Sequence, residues 1–290
     1  MSDTRATEAS PEPHLLCEVG GILLEGPGWD AEHSRVLFAD IRRAQLLACA
    51  WPSGELTRIE LDETCSAWLP REGGGSVVAC RSGVQLLDEH GAATARIDIE
   101  ADRSTNRSND ATCDPVGRLW FGTMADDESA CAGALYRVDR NRIVTRVISP
   151  VSISNGLGWS PDGSLMYYID SPTRRIDVFD YDLDKGEPAY GRLFADVSDL
   201  PGIPDGLAVD AKGCLWVAFY DGGAVHRFAP DGARIGHLPL PVRRPTSCAF
   251  VSPSLDRLVI TTARAPDGGG GDLYLCDPGV TGLAVSAYRG

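Results

Sequence analysis

The feature that most constrains the fold is a phrase of about sixteen residues that recurs along the chain. It reads SNDATCDPVGRLWFGT at Ser108–Thr123, SNGLGWSPDGSLMYYID at Ser154–Asp170 and PDGLAVDAKGCLWVAF at Pro204–Phe219. In each copy a polar residue stands ten positions before the leucine that opens an apolar strand. A fainter copy, two residues longer in its turn, is EGPGWDAEHSRVLFAD at Glu25–Asp40. Self-similarity at a regular interval predicts one structural unit used several times.

The repeated unit is a group of short β-strands separated by Asp- and Gly-rich turns, and no stretch of a dozen residues keeps a helical period. Strands of the same character start about 40 to 50 residues apart. They are Val36–Ala39, Ser76–Ala79, Leu119–Gly122, Leu165–Ile169, Leu215–Phe219 and Leu258–Thr262. Three or four strands per unit at this period are typical of a β-propeller. The sequence therefore predicts an all-β protein, a six-bladed β-propeller.

The domain organisation predicted from this pattern is simple. Residues 1–13 are polar and proline-containing, so we expect a disordered leader without a signal peptide. Residues 14–290 form a single propeller domain. We expect Leu15–Val19 to add an outer strand to the last blade and so close the ring. The blade around Trp68–Glu89 is the least regular and has no clear polar residue at its start.

The composition excludes some classes of binding partner and indicates a cellular compartment. The net charge of −14 argues against nucleic acid and anionic membranes, and no apolar run is long enough to span a bilayer. The nine cysteines form no CxxC pair and several lie in apolar runs, which predicts buried free thiols in a reducing cytoplasm. We expect a cytoplasmic protein that is a monomer or a weak homodimer.

The polar residue of each repeat is the candidate site. Glu25, Asn109, Asn155 and Asp205 occupy equivalent positions, with Thr246 and Ser247 near that position in the last unit. We take the repeated apolar strand to be the innermost of its blade, so residues just before it should meet at one mouth of the central channel. Two carboxylates and two amide oxygens suit Ca²⁺, Mg²⁺ or Mn²⁺, with Zn²⁺ possible. The alternative is that these residues only cap turns.

Other catalytic machinery is scarce. There is no G-x-S-x-G motif, Walker loop or G-x-G-x-x-G fingerprint, and the five histidines form no ligand-spaced pair. His226 lies within a strand and is interpreted as structural. Arg107, two residues before Asn109, is placed to reach the channel.

Several short motifs together resemble the regucalcin (senescence marker protein 30)/gluconolactonase family of six-bladed propellers. The similarity runs from about residue 15 to the C-terminus. The motifs are E-G-P at Glu25–Pro27, N-R-x-N-D at Asn106–Asp110, D-P-x-G-R at Asp114–Arg118, G-T-M at Gly122–Met124, S-N-G-L at Ser154–Leu157, Y-Y-I-D at Tyr167–Asp170, F-D-Y-D-L at Phe179–Leu183, I-P-D-G at Ile203–Gly206 and T-S-C at Thr246–Cys248.

The resemblance implies one divalent metal ion held by Glu25, Asn155 and Asp205. Ca²⁺ is the expected ion, with Zn²⁺, Mn²⁺, Mg²⁺ or Fe²⁺ as alternatives. It also implies that Arg107 and Asn109 bind sugar hydroxyls and that Asp127 is an acidic substrate contact. The expected activity is hydrolysis of sugar-acid lactones, with Asp205 as general base. A non-catalytic Ca²⁺-binding propeller, a protein-interaction propeller and an esterase for other esters remain alternatives.

Overall fold

The computed structural model describes residues 12–290, so the leader predicted for residues 1–13 lies almost wholly outside the described part. Residues 12–290 form β-strands and two three-residue 3₁₀ helices, Ile41–Arg43 and Ser171–Thr173. No helix in this range has the length and apolar character needed to cross a membrane. The prediction of an all-β protein is therefore confirmed.

The strands form six four-stranded antiparallel sheets, which are the six predicted blades. Chain order begins with His14–Cys17 (β1), and the first three blades follow. Their strands are Leu24–Asp30 (β2), Arg35–Asp40 (β3), Gln45–Ala50 (β4) and Leu56–Glu60 (β5); Cys65–Pro70 (β6), Ser76–Cys80 (β7), Gly83–Leu87 (β8) and Ala93–Asp98 (β9); and Asn106–Cys113 (β10), Leu119–Ala125 (β11), Gly133–Val138 (β12) and Val144–Val151 (β13).

Three more blades complete the ring. Their strands are Ser154–Trp159 (β14), Leu165–Asp170 (β15), Arg175–Asp182 (β16) and Glu187–Asp196 (β17); Ile203–Val209 (β18), Leu215–Tyr220 (β19), Ala224–Phe228 (β20) and Arg234–Pro239 (β21); and Pro245–Val251 (β22), Arg257–Thr262 (β23) and Leu273–Cys276 (β24). The last blade takes β1 as its outer strand, paired antiparallel with β24. The predicted closure by the N-terminal strand is confirmed.

The hydrophobic core consists of six clusters, one at each interface between neighbouring blades. The cluster between blades three and four packs the rings of Trp120, Trp159 and Tyr181 against one another, with centroids about 6 Å apart. Aromatic and β-branched residues suit this position because each blade is covered on both faces. Eight of the nine cysteines are buried and all are free, and only Cys131 is exposed.

The turns between the first two strands of a blade follow the predicted Asp…Gly chemistry. The Asp210 carboxylate accepts hydrogen bonds from the backbone amides of Lys212 and Cys214, both at 2.9 Å. Gly213 has a φ of +78°, a conformation that other residues adopt only at a cost. These local interactions set the register of each repeat.

One part of the prediction is wrong. The repeated apolar strand, such as Leu215–Phe219, belongs to the second strand of its blade. The innermost strands are β2, β6, β10, β14, β18 and β22, which contact one another around the axis. The predicted polar residues therefore lie within the innermost strands themselves.

Past the last strand, residues 277–290, here called the C-terminal strap, cross the propeller at the far ends of the innermost strands. Leu283 donates its amide hydrogen to the carbonyl of Val209 at 3.3 Å, and Tyr288 donates to that of Pro70 at 2.9 Å. The Tyr288 ring is fully buried in the cluster between blades two and three. The strap thus packs at the end of the channel opposite the candidate site.

Candidate functional site

Each innermost strand carries a β-bulge at the position that the sequence singled out. In β14, Asn155 pairs with Ile169 and Leu157 with Tyr168, which leaves Gly156 as an extra residue. In β18 the register shifts between Pro204 and Leu207, so Asp205 lies in the irregular segment. Bulges re-aim side chains and recur next to active sites. Here they explain how a buried central strand can present polar groups near the axis.

Glu25, Asn109, Asn155 and Asp205 are all buried, each 6 to 9% exposed. Burial, followed by the charge of Asp110, raises the pKa of Glu25 to about 8. The pKa of Asp205 also lies well above its usual value. Burial is the largest cause, and repulsion from the charges of Glu25 and Asp110 acts in the same direction. Carboxyl groups that are distant in sequence therefore act on one another here, with Arg107 as the opposing cation.

A chain of hydrogen bonds joins the predicted residues of blades three and four. The Arg107 Nη1 donates to Asn109 Oδ1 at 2.8 Å. The Asn109 Nδ2 donates to Asn155 Oδ1 at 2.8 Å and to the Ser154 carbonyl at 2.9 Å. Both functional ends of the Asn109 amide are thus engaged within the protein. Asn109 holds Arg107 and Asn155 in place, and the Asn155 oxygen keeps a second lone pair for a ligand.

Hydroxyl groups make further hydrogen bonds between neighbouring blades. Asn155 Nδ2 donates to Ser171 Oγ at 2.8 Å, which in turn donates to the Pro204 carbonyl. Ser66 in blade two donates to Ser108 at 2.8 Å, and Thr246 in blade six donates to the Leu24 carbonyl at 2.5 Å. Ser66 lies ten residues before Ser76, the first residue of β7. Ser66 has no polar neighbours that mark it in the sequence, because it lies between Cys65 and Ala67.

Asp110 is the carboxylate that sequence reasoning left without a role. It follows Asn109 in the bulge of β10, and its charge acts on both Glu25 and Asp205. Burial raises the pKa of Asp110 to about 6. Its side chain lines an axial cavity of about 280 Å³ that the innermost strands and strap residues Leu283–Ser286 enclose. The motif N-R-x-N-D contained this residue, but only the bulge shows that both members of its Asn-Asp pair lie near the axis.

Asp127 is placed differently from the other predicted residues. It is exposed, and its Oδ1 accepts hydrogen bonds from the Ser129 amide at 3.0 Å and the Ser129 hydroxyl at 2.6 Å. The acidic groups whose charges act on Arg107 include Asp126, 3.9 Å from Arg107 Nε, and Glu128. The structure therefore does not bring Asp127 into the cluster, and its substrate contact stays a prediction.

The residues present fit a divalent cation. Asp205 Oδ1 is buried and has no hydrogen-bond partner in the described part of the chain. Arg107 is the cation whose charge opposes the raised pKa values of Glu25 and Asp205. Within residues 12–290 no three Asp, Glu, His or Cys side chains lie close enough to form a metal site. The predicted set contains two carboxylates and one amide oxygen, a composition that oxygen-seeking ions such as Ca²⁺ accept.

The fold and the cluster define the class of protein: a six-bladed propeller with a buried oxygen-donor site near its axis. Residues 23–264 match the model of the SMP-30/gluconolactonase/LRE-like region. Human regucalcin is 34% identical over 284 residues, covering 92% of this chain and 94% of that protein. The chain belongs to the SMP-30/gluconolactonase/LRE-like family.

Solved structures agree with this assignment. The calcium-binding protein regucalcin from Agrobacterium tumefaciens superposes with a TM-score of 0.91 at 30% identity, covering 97% of each chain. A gluconolactonase from Xanthomonas campestris superposes with a TM-score of 0.77 over 94% of this chain and 96% of that one. At 23% identity, the second likeness supports the fold alone. The family supports a lactonase-type function and makes a divalent metal the expected ligand.

Proposed function

We propose that this protein is a metal-dependent hydrolase that opens sugar-acid lactones such as gluconolactone or xylonolactone. The observation that carries the proposal is that two polar groups of the cluster have no hydrogen-bond partner. Asp205 Oδ1 and Arg107 Nε are both buried without a hydrogen-bond partner in residues 12–290. A carboxylate oxygen and a guanidinium donor left free inside a protein are costly unless a ligand engages them. Family membership supplies the substrate class.

In this proposal Glu25, Asn155 and Asp205 hold the metal through their oxygens. The bound cation supplies Lewis-acid polarisation of the ester carbonyl. With a cation bound there, the repulsion that Glu25 exerts on the Asp205 charge would be offset. Ca²⁺ is the proposed ion, with Zn²⁺, Mn²⁺, Mg²⁺ and Fe²⁺ as alternatives.

The chain's own residues orient the lactone and move the proton. Arg107 uses Nη1 to hold Asn109, so its free Nε is the donor proposed to bind an oxygen of the substrate. Asp205 Oδ1 is proposed to accept the proton of the attacking water as general base. The same carboxylate serves as ligand, which would lower its pKa, so it would stay ionised to lower pH but would be a weaker base.

The experiment is a pH-indicator hydrolysis screen of a panel of aldonolactones. Metal-free protein is reconstituted with each of Ca²⁺, Mg²⁺, Mn²⁺, Zn²⁺ and Fe²⁺, and initial rates are compared. Asp205→Ala should remove both turnover and metal binding, while Asp231→Ala, at an exposed aspartate in the turn between β20 and β21, serves as a matched control. Full lactonase activity of Asp205→Ala in chelating buffer would contradict the scheme.

A second candidate function is Ca²⁺ binding without catalysis. It is favoured by the relatives named regucalcin, one of which is described as a calcium-binding protein. Calorimetry with Ca²⁺ and the lactone screen separate the two. Tight Ca²⁺ binding without turnover of any lactone, or of simple aryl esters, would support the binding role.

A further inference from the structure

A second cavity, of about 440 Å³, lies outside the candidate site. Its walls come from the turn after β10, the turn between β12 and β13, the turn between β16 and β17, and the strap. The predicted site residues lie in the first half of β10, whereas Val116–Arg118 follow its last residue. Because the innermost strands run between the two faces of a propeller, this cavity opens on the face away from Arg107 and Asn109.

The walls of this cavity are cationic, although the whole chain carries a net charge of −14. Five cationic side chains line it against two carboxylates, those of Asp139 and Asp184. The cations are Arg118, Arg137, Arg140, Lys185 and Arg289. The Asp139 Oδ1 already accepts the amides of Asn141 and Ile143, at 2.8 and 2.9 Å, so it is partly committed to its own turn. A concentration of one charge in a concave site focuses the local field on ligands of opposite charge.

Two arginines are held in fixed positions by the turn between β16 and β17. Arg118 Nη2 donates to the carbonyls of Leu183 and Asp184, at 2.9 and 2.6 Å, and its Nη1 donates to buried Asp114. Arg137 Nη1 donates to the carbonyls of Lys185, at 2.8 Å, and of Gly186. These contacts fix the guanidinium groups and so lower the entropy cost of binding a ligand.

Arg137 and Arg140 are the cations without a carboxylate partner among the described residues. Arg118 pairs with Asp114, Lys185 with Asp182 at 2.8 Å, and Arg289 with Glu72 at 3.2 Å. Arg137 Nε is buried and has no hydrogen-bond partner in residues 12–290. Arg137 Nη1 is occupied by the turn between β16 and β17. Arg137 Nε and the Arg140 guanidinium have no partner among the described residues.

We propose that this cavity binds a small phosphate-bearing molecule, with Arg137 and Arg140 as its main contacts. Guanidinium groups match the oxygens of a phosphate through paired N–H donors, and the Lys185 ammonium adds a point charge. The cavity volume lies within the range of about 300–1,000 Å³ that small-molecule sites occupy. Val116 and Leu183 add apolar surface for the remainder of the ligand. The site is independent of the proposed lactonase activity.

The test is isothermal titration calorimetry of the metal-free full-length protein with inorganic tripolyphosphate. Removing the metal prevents binding through a cation at the axis. Arg140→Glu is the test variant, because Arg140 is exposed and its replacement does not disturb the core. Arg146→Glu is the matched control, since it makes the same charge change in the same blade. Arg146 pairs with Tyr136, on the opposite face of the sheet from Arg137.

We expect tripolyphosphate to bind the wild-type protein, and more weakly as ionic strength rises. Arg140→Glu should weaken binding at least about tenfold, because a direct charge contact becomes a repulsion. Arg146→Glu should change it by no more than about twofold at physiological salt, where charges beyond roughly 8 Å are screened. No binding to the wild-type protein at millimolar tripolyphosphate would overturn the proposal. So would an equal effect of both substitutions, or undiminished binding by Arg140→Glu.

Discussion

Replacing Asp205 with asparagine should stabilise the metal-free protein while removing its response to metal. The Asp205 carboxylate is buried, its Oδ1 has no partner, and Glu25 and Asp110 both repel its charge. Asparagine has nearly the same shape and no charge. The substitution therefore removes a repulsion that the charge of Arg107 offsets only in part.

The size of the effect follows from proton linkage. The usual pKa of Asp205 is 3.8, and burial raises it in the folded state. A folded pKa raised above 3.8 can lower the stability at pH 7 by at most about 1.4 kcal/mol for each pH unit between 3.8 and 7, a ceiling of about 4 kcal/mol. The asparagine amide introduces donors that need partners, at a cost of about 1–3 kcal/mol. We expect a net gain of about 1–3 kcal/mol at pH 7.

The sign of the pH dependence is fixed by the same shift. Below pH 3.8 Asp205 is protonated in both the folded and the unfolded protein, so its burial carries no charge penalty. This advantage is lost as the pH rises from 3.8 through the raised pKa of the folded state. The contribution of Asp205 to the stability of the metal-free wild type should therefore decline from about pH 4 upward. Asp205→Asn should flatten this decline.

The assay is urea unfolding followed by tryptophan fluorescence between pH 5 and pH 8, with and without Ca²⁺. Asp127→Asn, an exposed aspartate outside the cluster, is the matched control and should follow the wild type. Ca²⁺ should stabilise the wild type and the control but not Asp205→Asn. The reasoning is refuted if Asp205→Asn is less stable than the wild type in chelator at pH 8, or if Ca²⁺ stabilises both equally.

Three further predictions concern the scaffold. Asp114→Ala should lower the free energy of unfolding by about 3–5 kcal/mol, since the fully buried carboxylate accepts hydrogen bonds from Arg118 and Tyr181; a change of the urea midpoint worth under about 1 kcal/mol would contradict this. Burial and the charge of Arg234 lower the pKa of His226 from 6.5 to about 4, so stability should fall as pH drops from 6.5 towards 4, and His226→Phe should reduce that loss in acid titrations. Cys131 is the exposed cysteine, so a thiol reagent should label one thiol in the native protein and none in Cys131→Ser.

The repeat spacing allowed the blades and much of the site to be predicted from sequence. The interval from Asn155 to Leu165 is ten residues, as is the interval from Asp205 to Leu215. This equal spacing means that the strands of each blade pair in the same register, and the register determines the height at which each side chain lies. Equivalent residues of neighbouring blades must therefore lie at equivalent heights near the axis. This is why Glu25, Asn109, Asn155 and Asp205 could be grouped without any contact being known.

The identity of the innermost strand could not be predicted by the same means. The segments around Asn155 and Asp205 each contain a glycine directly after the polar residue, which weakens the strand pattern. The structure shows that these glycines are needed by packing. A Cβ at Gly206 would lie 2.1 Å from Ser247 Oγ, and one at Gly156 would lie 2.6 Å from the Asp205 carbonyl. Close contact between innermost strands thus removes the side chains by which a strand is recognised in sequence.

The C-terminal strap had no signal in the sequence because its structure depends on other blades. Its residues show no strand period, and their backbone groups pair with residues far away in the sequence, such as Glu72, whose amide donates to the Tyr288 carbonyl. The strap gives the two faces different chemistry. Leu283–Ser286 line the axial cavity at the end away from Arg107, so the face with Arg107 is the proposed substrate entrance. Arg289 of the same strap lines the cationic cavity. The strap therefore covers the axial cavity on one face and supplies a positive charge to the cationic cavity.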